Sequence, residues 1–132
     1  MKYLSTIVLF LLSATAVMSQ DLSPTEVIDT QLKAYNDRDI DAFVATYSEH
    51  VQCYEYGQTN PFLEGKQALK VSYGAMFQTS PDLHAESSNR IVQGNRVIDH
   101  ETAEGINGRS AIQVVVIYEV NEGLIQKVTF IY

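Results

Sequence analysis

Apolar residues recur at helical spacing through the first half of this chain and alternate through the second. Ile28, Leu32 and Tyr35, with Val27 and Ala34 beside them, make one helical face. Ser23-Pro24-Thr25-Glu26 precedes them. Ser23 can cap, Pro24 suits the first helical position, and Glu26 completes a capping box. Gln31 falls on the same face, a polar group aimed at whatever the helix covers. Asn36-Asp37-Arg38-Asp39 breaks the pattern, and Asp39 is placed to cap a second helix with the stripe Ile40, Phe43, Val44 and Tyr47. A third helix opens at Gly65, carries Leu69, Tyr73, Met76 and Phe77 on one side, and ends at Ser80-Pro81-Asp82.

The remaining signals are those of strands. Val51, Cys53 and Glu55 alternate with Gln52, Tyr54 and Tyr56, and alternation alone leaves open which set faces inward. Strands follow over 83–93, 96–104, 111–120 and 124–132, punctuated by Gly94-Asn95, Gly105 to Gly108 and Asn121-Glu122-Gly123. The last connector has the Asn and Gly that a tight hairpin uses for positive φ. The order helix, helix, strand, helix, then four strands predicts an α+β fold. Three N-terminal helices would pack on one face of a curved antiparallel sheet, a cone with a pocket at its opening.

Residues 1–19 read differently. Lys2, the apolar run from Leu4 to Val17 and the small residues Ala14, Ala16 and Ser19 form a secretory signal peptide, which predicts export to the periplasm or beyond the cell. The run is shorter than the ~20 residues a spanning helix needs. One domain, residues 20–132, remains. Losing Lys2 takes the formal charge of the chain from −7 to −8. With no basic stripe, nucleic acid and, after cleavage, anionic membranes are excluded as partners. Cys53 is the single cysteine, so no internal disulfide forms, and it reads as a buried small hydrophobe.

The segment Ala34-Tyr-Asn-Asp-Arg-Asp-Ile-Asp-Ala-Phe-Val-Ala-Thr-Tyr47, the strand after it, Gly65-Lys66 and the aromatic-ended last strand together resemble the nuclear transport factor 2-like superfamily. That group includes the SnoaL-like polyketide cyclases and ketosteroid isomerase, and the resemblance spans residues 20–132 nearly end to end. It implies a cystatin-like cone, a homodimer formed over the sheet's convex side, and a pocket for a small apolar molecule bearing one or two oxygens. Ketosteroid isomerase uses a carboxylate base and an oxyanion hole of a Tyr and a protonated Asp. By resemblance its base falls at Glu55, its tyrosine at Gln31 and its oxyanion aspartic acid at Val116. One donor is thus an amide here and the other is lost. An oxyanion hole short of one donor forfeits about 3 kcal/mol of transition-state stabilisation, which argues against steroid isomerisation as such.

The candidate catalytic residues are Glu55 as base, with His100 and Gln31 to steady an oxyanion or return a proton. His100 shares a strand face with Ile98, and the resemblance turns that face inward. Asp99 and Glu101 then belong to a solvated or subunit-facing surface, paired with Arg90 or Arg96. Adjacent side chains on a strand diverge, so Asp99-His100-Glu101 is a poor metal site, and no metal is expected. Tyr35, Tyr73, Val116, Tyr118 and Phe130 are the candidate substrate-binding residues among a largely core set. With no phosphate loop, dinucleotide fingerprint or nucleophile turn, no cofactor is implied. Two functions stay open: an isomerase, cyclase or dehydratase that moves a proton next to a carbonyl, and a non-catalytic ligand-binding or assembly module.

Overall fold

The computed structural model describes residues 21–132; the expected signal peptide lies outside the described residues. Ser23 accepts from the Glu26 amide while the Glu26 carboxylate takes the Ser23 amide at 2.8 Å, so the predicted capping box starts helix α1, Pro24–Asp37. Arg38 ends it in the left-handed region, and Asp39 accepts from the Ala42 amide to start α2, Ile40–Ala45. Helix α2 is shorter than its stripe predicts. Tyr47 leaves it and begins strand β1, Tyr47–Glu55. Then come β2 (Leu63–Glu64), α3 (Lys66–Thr79), β3 (His84–Gln93), β4 (Arg96–Glu104), β5 (Ile112–Asn121) and β6 (Leu124–Ile131).

The six strands form one sheet in the order β2-β1-β6-β5-β4-β3. The expected antiparallel run holds from β3 to β6, but β1 joins β6 in parallel, so the sheet is mixed. Parallel strands need a crossover, and α3 with the β3–β5 meander supplies it. The β5–β6 hairpin turns on Glu122 and Gly123, both at positive φ, while Asn121 pairs with Leu124 as the last ladder rung.

The three helices cover one face only. On that face Val97, Val114, Val116, Val120, Ile125 and Val128 meet Val27, Ile28, Phe43 and Leu69 in the core. Phe43 is fully buried, its ring within 5.5 Å of those of Tyr47, Tyr73 and Phe77. The Asn36 amide clamps α1 to the sheet, donating to the Ala85 carbonyl and accepting from the Ala85 amide, both at 2.8 Å. Arg38 adds a bond to the Leu83 carbonyl. This clamp fixes which residues of α1 look down onto the sheet: Gln31, Leu32 and Tyr35. Among the described residues no helix is long and apolar enough to cross a membrane.

Candidate functional site

Between α1, α3 and the concave side of the sheet lies a cavity of about 240 Å³. Its walls are mostly apolar and aromatic, from Leu32, Met76, Ala85, Ala103, Val114 and the rings of Tyr35, Tyr73 and Phe130. Ser72 and the tyrosine hydroxyls add polar atoms to this surface, and two further polar side chains are buried in it. The first is Glu101 of β4, only 8% exposed, whose Oε1 accepts from the Tyr118 hydroxyl of β5 at 2.8 Å. The second is Gln31 of α1, whose Nε2 donates to the Tyr47 hydroxyl at 3.0 Å while its Oε1 is buried without a partner.

Glu101 is the carboxyl group in this wall. Burial among apolar neighbours disfavours its carboxylate and raises its pKa to about 7. The Tyr118 hydrogen bond offsets part of that rise, Asp99 adds to it and Arg90 opposes it. A carboxyl poised near neutrality can both take and return a proton. Burial likewise pushes the Tyr35, Tyr47, Tyr73 and Tyr118 phenols up, so they serve as hydroxyl donors rather than phenolates.

Behind Glu101, on the same strand face, lies an ion pair whose carboxylate is fully buried. Asp99 takes two bonds from its cross-strand partner Arg90, Nε to Oδ1 at 2.7 Å and Nη2 to Oδ2 at 2.8 Å. Arg90 Nη1 also reaches Asp29 of α1 at 2.6 Å. The pair satisfies a carboxylate with no exposed surface and ties α1 to β3 and β4.

These placements revise the expected site. Gln31, Tyr35, Tyr73, Tyr118 and Phe130 line the cavity. His100 does not: it is exposed on the outer face, and Val97, Asp99, Glu101 and Ala103 take the inward positions of β4. The two acids point inward because Arg90 neutralises one and Tyr118 bonds the other. Val116 faces inward but is sealed in the core opposite Asp99, not in the cavity wall. Glu55 is on the inward face, the register partner of Phe130, yet it is exposed at the strand end and is no part of the wall. The residue pattern alone does not single out Glu101; its one signal is the i, i+2 relation to Asp99, with a potential Arg partner on the preceding strand. Among the described residues no group of three or more His, Cys, Asp and Glu could hold a metal ion.

Solved structures share this architecture. An uncharacterised cystatin-fold protein from Novosphingobium aromaticivorans is 24% identical, with a TM-score of 0.77 over 84% of this chain and 99% of that one. A candidate ketosteroid isomerase from Kribbella flavida is 22% identical, with a TM-score of 0.67 over 82% and 76%. A computationally designed 17-OHP binder is 17% identical, with a TM-score of 0.73 over 84% and 94%. Likeness at these identities shows the fold, and the fold hosts unrelated functions. No curated protein sequence matches the chain significantly. A family model for the SnoaL-like domain matches residues 28–128, and the chain belongs to that family.

Proposed function

We propose that the protein binds a small, largely apolar, uncharged molecule carrying a carbonyl and moves a proton beside that carbonyl without a cofactor. The observation that carries this reading is Glu101: a buried carboxyl poised near neutrality, held by Tyr118, in an aromatic cavity. As carboxylate, Glu101 takes a proton from the carbon next to the carbonyl. The electron pair passes to the oxygen, which the Tyr47 hydroxyl, itself held by Gln31, meets with a hydrogen bond. The resulting carboxylic acid returns the proton to another carbon, giving an isomer, and atoms and charge balance with no further reactant. Glu55 stands at the rim, exposed, and is less suited to this step than Glu101 because water solvates its charge.

Size supports a modest ligand. A 150 Å³ apolar cavity holds a benzene, so about 240 Å³ suits one ring with a short chain, or two small rings. A four-ring steroid fits only by projecting outward.

The test is hydrogen–deuterium exchange at carbon next to the carbonyl of a panel of cyclic ketones and enones, followed by NMR in D2O. Wild-type protein should catalyse exchange of at least one member, and Glu101→Gln should slow it by about 10²–10⁴-fold, the worth of a positioned general base. Exchange at equal rates in the two proteins would overturn the assignment. Binding without exchange in either would establish the second reading, a ligand carrier, which the designed binder of like fold makes concrete.

The same proposal includes export through residues 1–19 and a homodimer. The dimer reading draws on the outer sheet face, where Ile98, Val115, Ile117 and Ile131 are half-buried and Ile91 is 60% exposed. Sedimentation at micromolar concentration and the mass of the mature chain from its host test these two points.

A further inference from the structure

The cavity wall does not stop where water begins. Phe62, Ile112 and Tyr132 line the cavity and are yet 61%, 40% and 73% exposed. Phe62 comes from the connection between β1 and β2, and Tyr132 from the end of β6. Phe130 bridges them: its ring lies 5.9 Å from Phe62, and 6.3 Å from Tyr132 with only 10° between the planes. Three aromatic rings therefore run as one surface from the interior to solvent. A large apolar patch exposed at the rim of a cavity marks a binding surface.

One charge is placed near this rim, that of Glu55. Among the described residues no Lys, Arg or His lines the cavity. Arg109 lies on the loop between the wall residues Ile106 and Ile112 but is not itself in the wall. Glu55 sits opposite Phe130 in the strand register; burial first, and then the Glu55 charge, raise the Tyr132 hydroxyl pKa, and the second cause reports that Glu55 and Tyr132 are near each other.

We propose that Phe62, Phe130 and Tyr132 form a second subsite that stacks a flat, conjugated part of the ligand projecting from the cavity, and that Glu55 beside it rejects anionic ligands. This rests on the reading of the cavity as a ligand site. The ligand class is then an uncharged molecule longer than the cavity, with its oxygen end buried and its aromatic end at the rim. Offset and edge-to-face contacts between aromatic groups give such a subsite its geometry, and the Glu55 charge acts on it at short range, through like-charge repulsion of an anionic group stacked there.

Two probes that differ only by a sulfonate separate the parts of this proposal. N-phenyl-1-naphthylamine is neutral, and 8-anilino-1-naphthalenesulfonate is its anionic counterpart. Fluorescence titration of the full chain at pH 8 should give a dissociation constant at least tenfold lower for the neutral probe. Phe62→Ser and Tyr132→Ser should each weaken the neutral probe fivefold or more, with circular dichroism unchanged. Glu55→Gln should strengthen the sulfonate at least threefold and leave the neutral probe alone. Ala103→Leu, which fills the cavity below the rim, tests the underlying reading: it should abolish neutral-probe binding. If Ala103→Leu abolishes binding while the two rim variants leave it intact, the second subsite is refuted and the cavity reading stands. If wild-type protein binds neither probe, or if binding survives Ala103→Leu, the cavity reading falls and takes the rim with it. Equal affinity for the two probes in wild type, or no response to Glu55→Gln, refutes the role of Glu55.

Discussion

Tyr118 and Glu101 are hydrogen-bonded at 2.8 Å although they are not strand partners; Tyr118 pairs with Val97 and Glu101 with Val114. Four residues of strand separate the two rungs, about 13 Å at the usual rise. Both side chains must lean along the sheet to meet, the phenol spanning most of the gap. The long, rigid phenol on β5 and the carboxyl on β4 together close that gap. Tyr118 thus satisfies Glu101 without placing a cation in the cavity.

That arrangement leaves a signature in stability. The pKa of Glu101 is raised in the fold to about 7, from 4.5. The folded protein therefore binds more protons than the unfolded chain between those values, and stability falls as pH rises through the window. The contribution is full below about pH 4.5 and is lost above about pH 7. A tenfold change in proton affinity is worth about 1.4 kcal/mol, so the loss across the window is about 3 kcal/mol. Urea denaturation at pH 5 and pH 8 should show it. Glu101→Gln keeps an acceptor for Tyr118 and titrates nothing, so its midpoint should stay flatter across that window. A wild-type midpoint that rises from pH 5 to pH 8 by as much as in Glu101→Gln would contradict the assignment.

Asp99 tunes the same group from behind. It raises the Glu101 pKa directly, and it neutralises Arg90, which would otherwise lower it. Asp99→Asn removes an anion and frees a cation, and both changes favour the Glu101 carboxylate. If Glu101 acts as base, activity falls on the acid side as the carboxylate is protonated. That limb should move to lower pH in Asp99→Asn, by about one pH unit. A merely structural role for Asp99 would lower activity at every pH and leave the profile in place, so the pH profile decides between the two.

The reach of the sequence has a physical explanation. Caps are local chemistry, and Ser23-Pro24-Thr25-Glu26 and Asp39 start their helices where the residues say. Strand alternation is also local, so β4 over Arg96–Glu104 is legible to the residue. Alternation divides a strand into two faces and cannot choose between them. On β4 the choice depends on Arg90, nine residues from Asp99 and across a turn, and on Tyr118 of the next strand. Hydrophobicity favours Ile98 and His100 inside; two specific partners reverse it. Tyr47 shows a different limit. Its helical spacing from Phe43 is genuine, but the chain turns after Ala45 and Tyr47 meets Gln31 from the sheet instead. Glu55 lies on the face that the resemblance implies, and its exposure depends on how far the helical cover extends, a property of the whole fold.

Cys53 should be chemically silent. It is 1% exposed, and burial raises its thiol pKa to about 12. The thiolate is the reactive form, so at pH 8 only a minute fraction is available, inside the core. Iodoacetamide should leave the folded protein unmodified by mass spectrometry over an hour and label it once in denaturant. Rapid labelling of the native protein would show that β1 opens locally far more often than its packing implies.

Gly105 closes the turn after β4 at φ +73°, where a Cβ would lie 2.2 Å from the Asp82 backbone oxygen and 2.9 Å from the Leu83 nitrogen. Those neighbours are backbone, so relief requires the Asp82–Leu83 segment to move. The same segment leads into β3, and the Ile106 that follows Gly105 is part of the cavity wall. Gly108 offers a matched control, since it has φ +71° but nothing within 4 Å of its Cβ position. A non-glycine residue in the left-handed region costs about 1–2 kcal/mol by conformation alone. Gly108→Ala should lose about that much in urea denaturation, and Gly105→Ala should lose more, by about 2 kcal/mol, the scale on which a forced backbone shift in a packed region is felt. Equal losses in the two variants would mean that the Asp82 turn yields freely, and that the close approach of these two loops does not hold Ile106 in place.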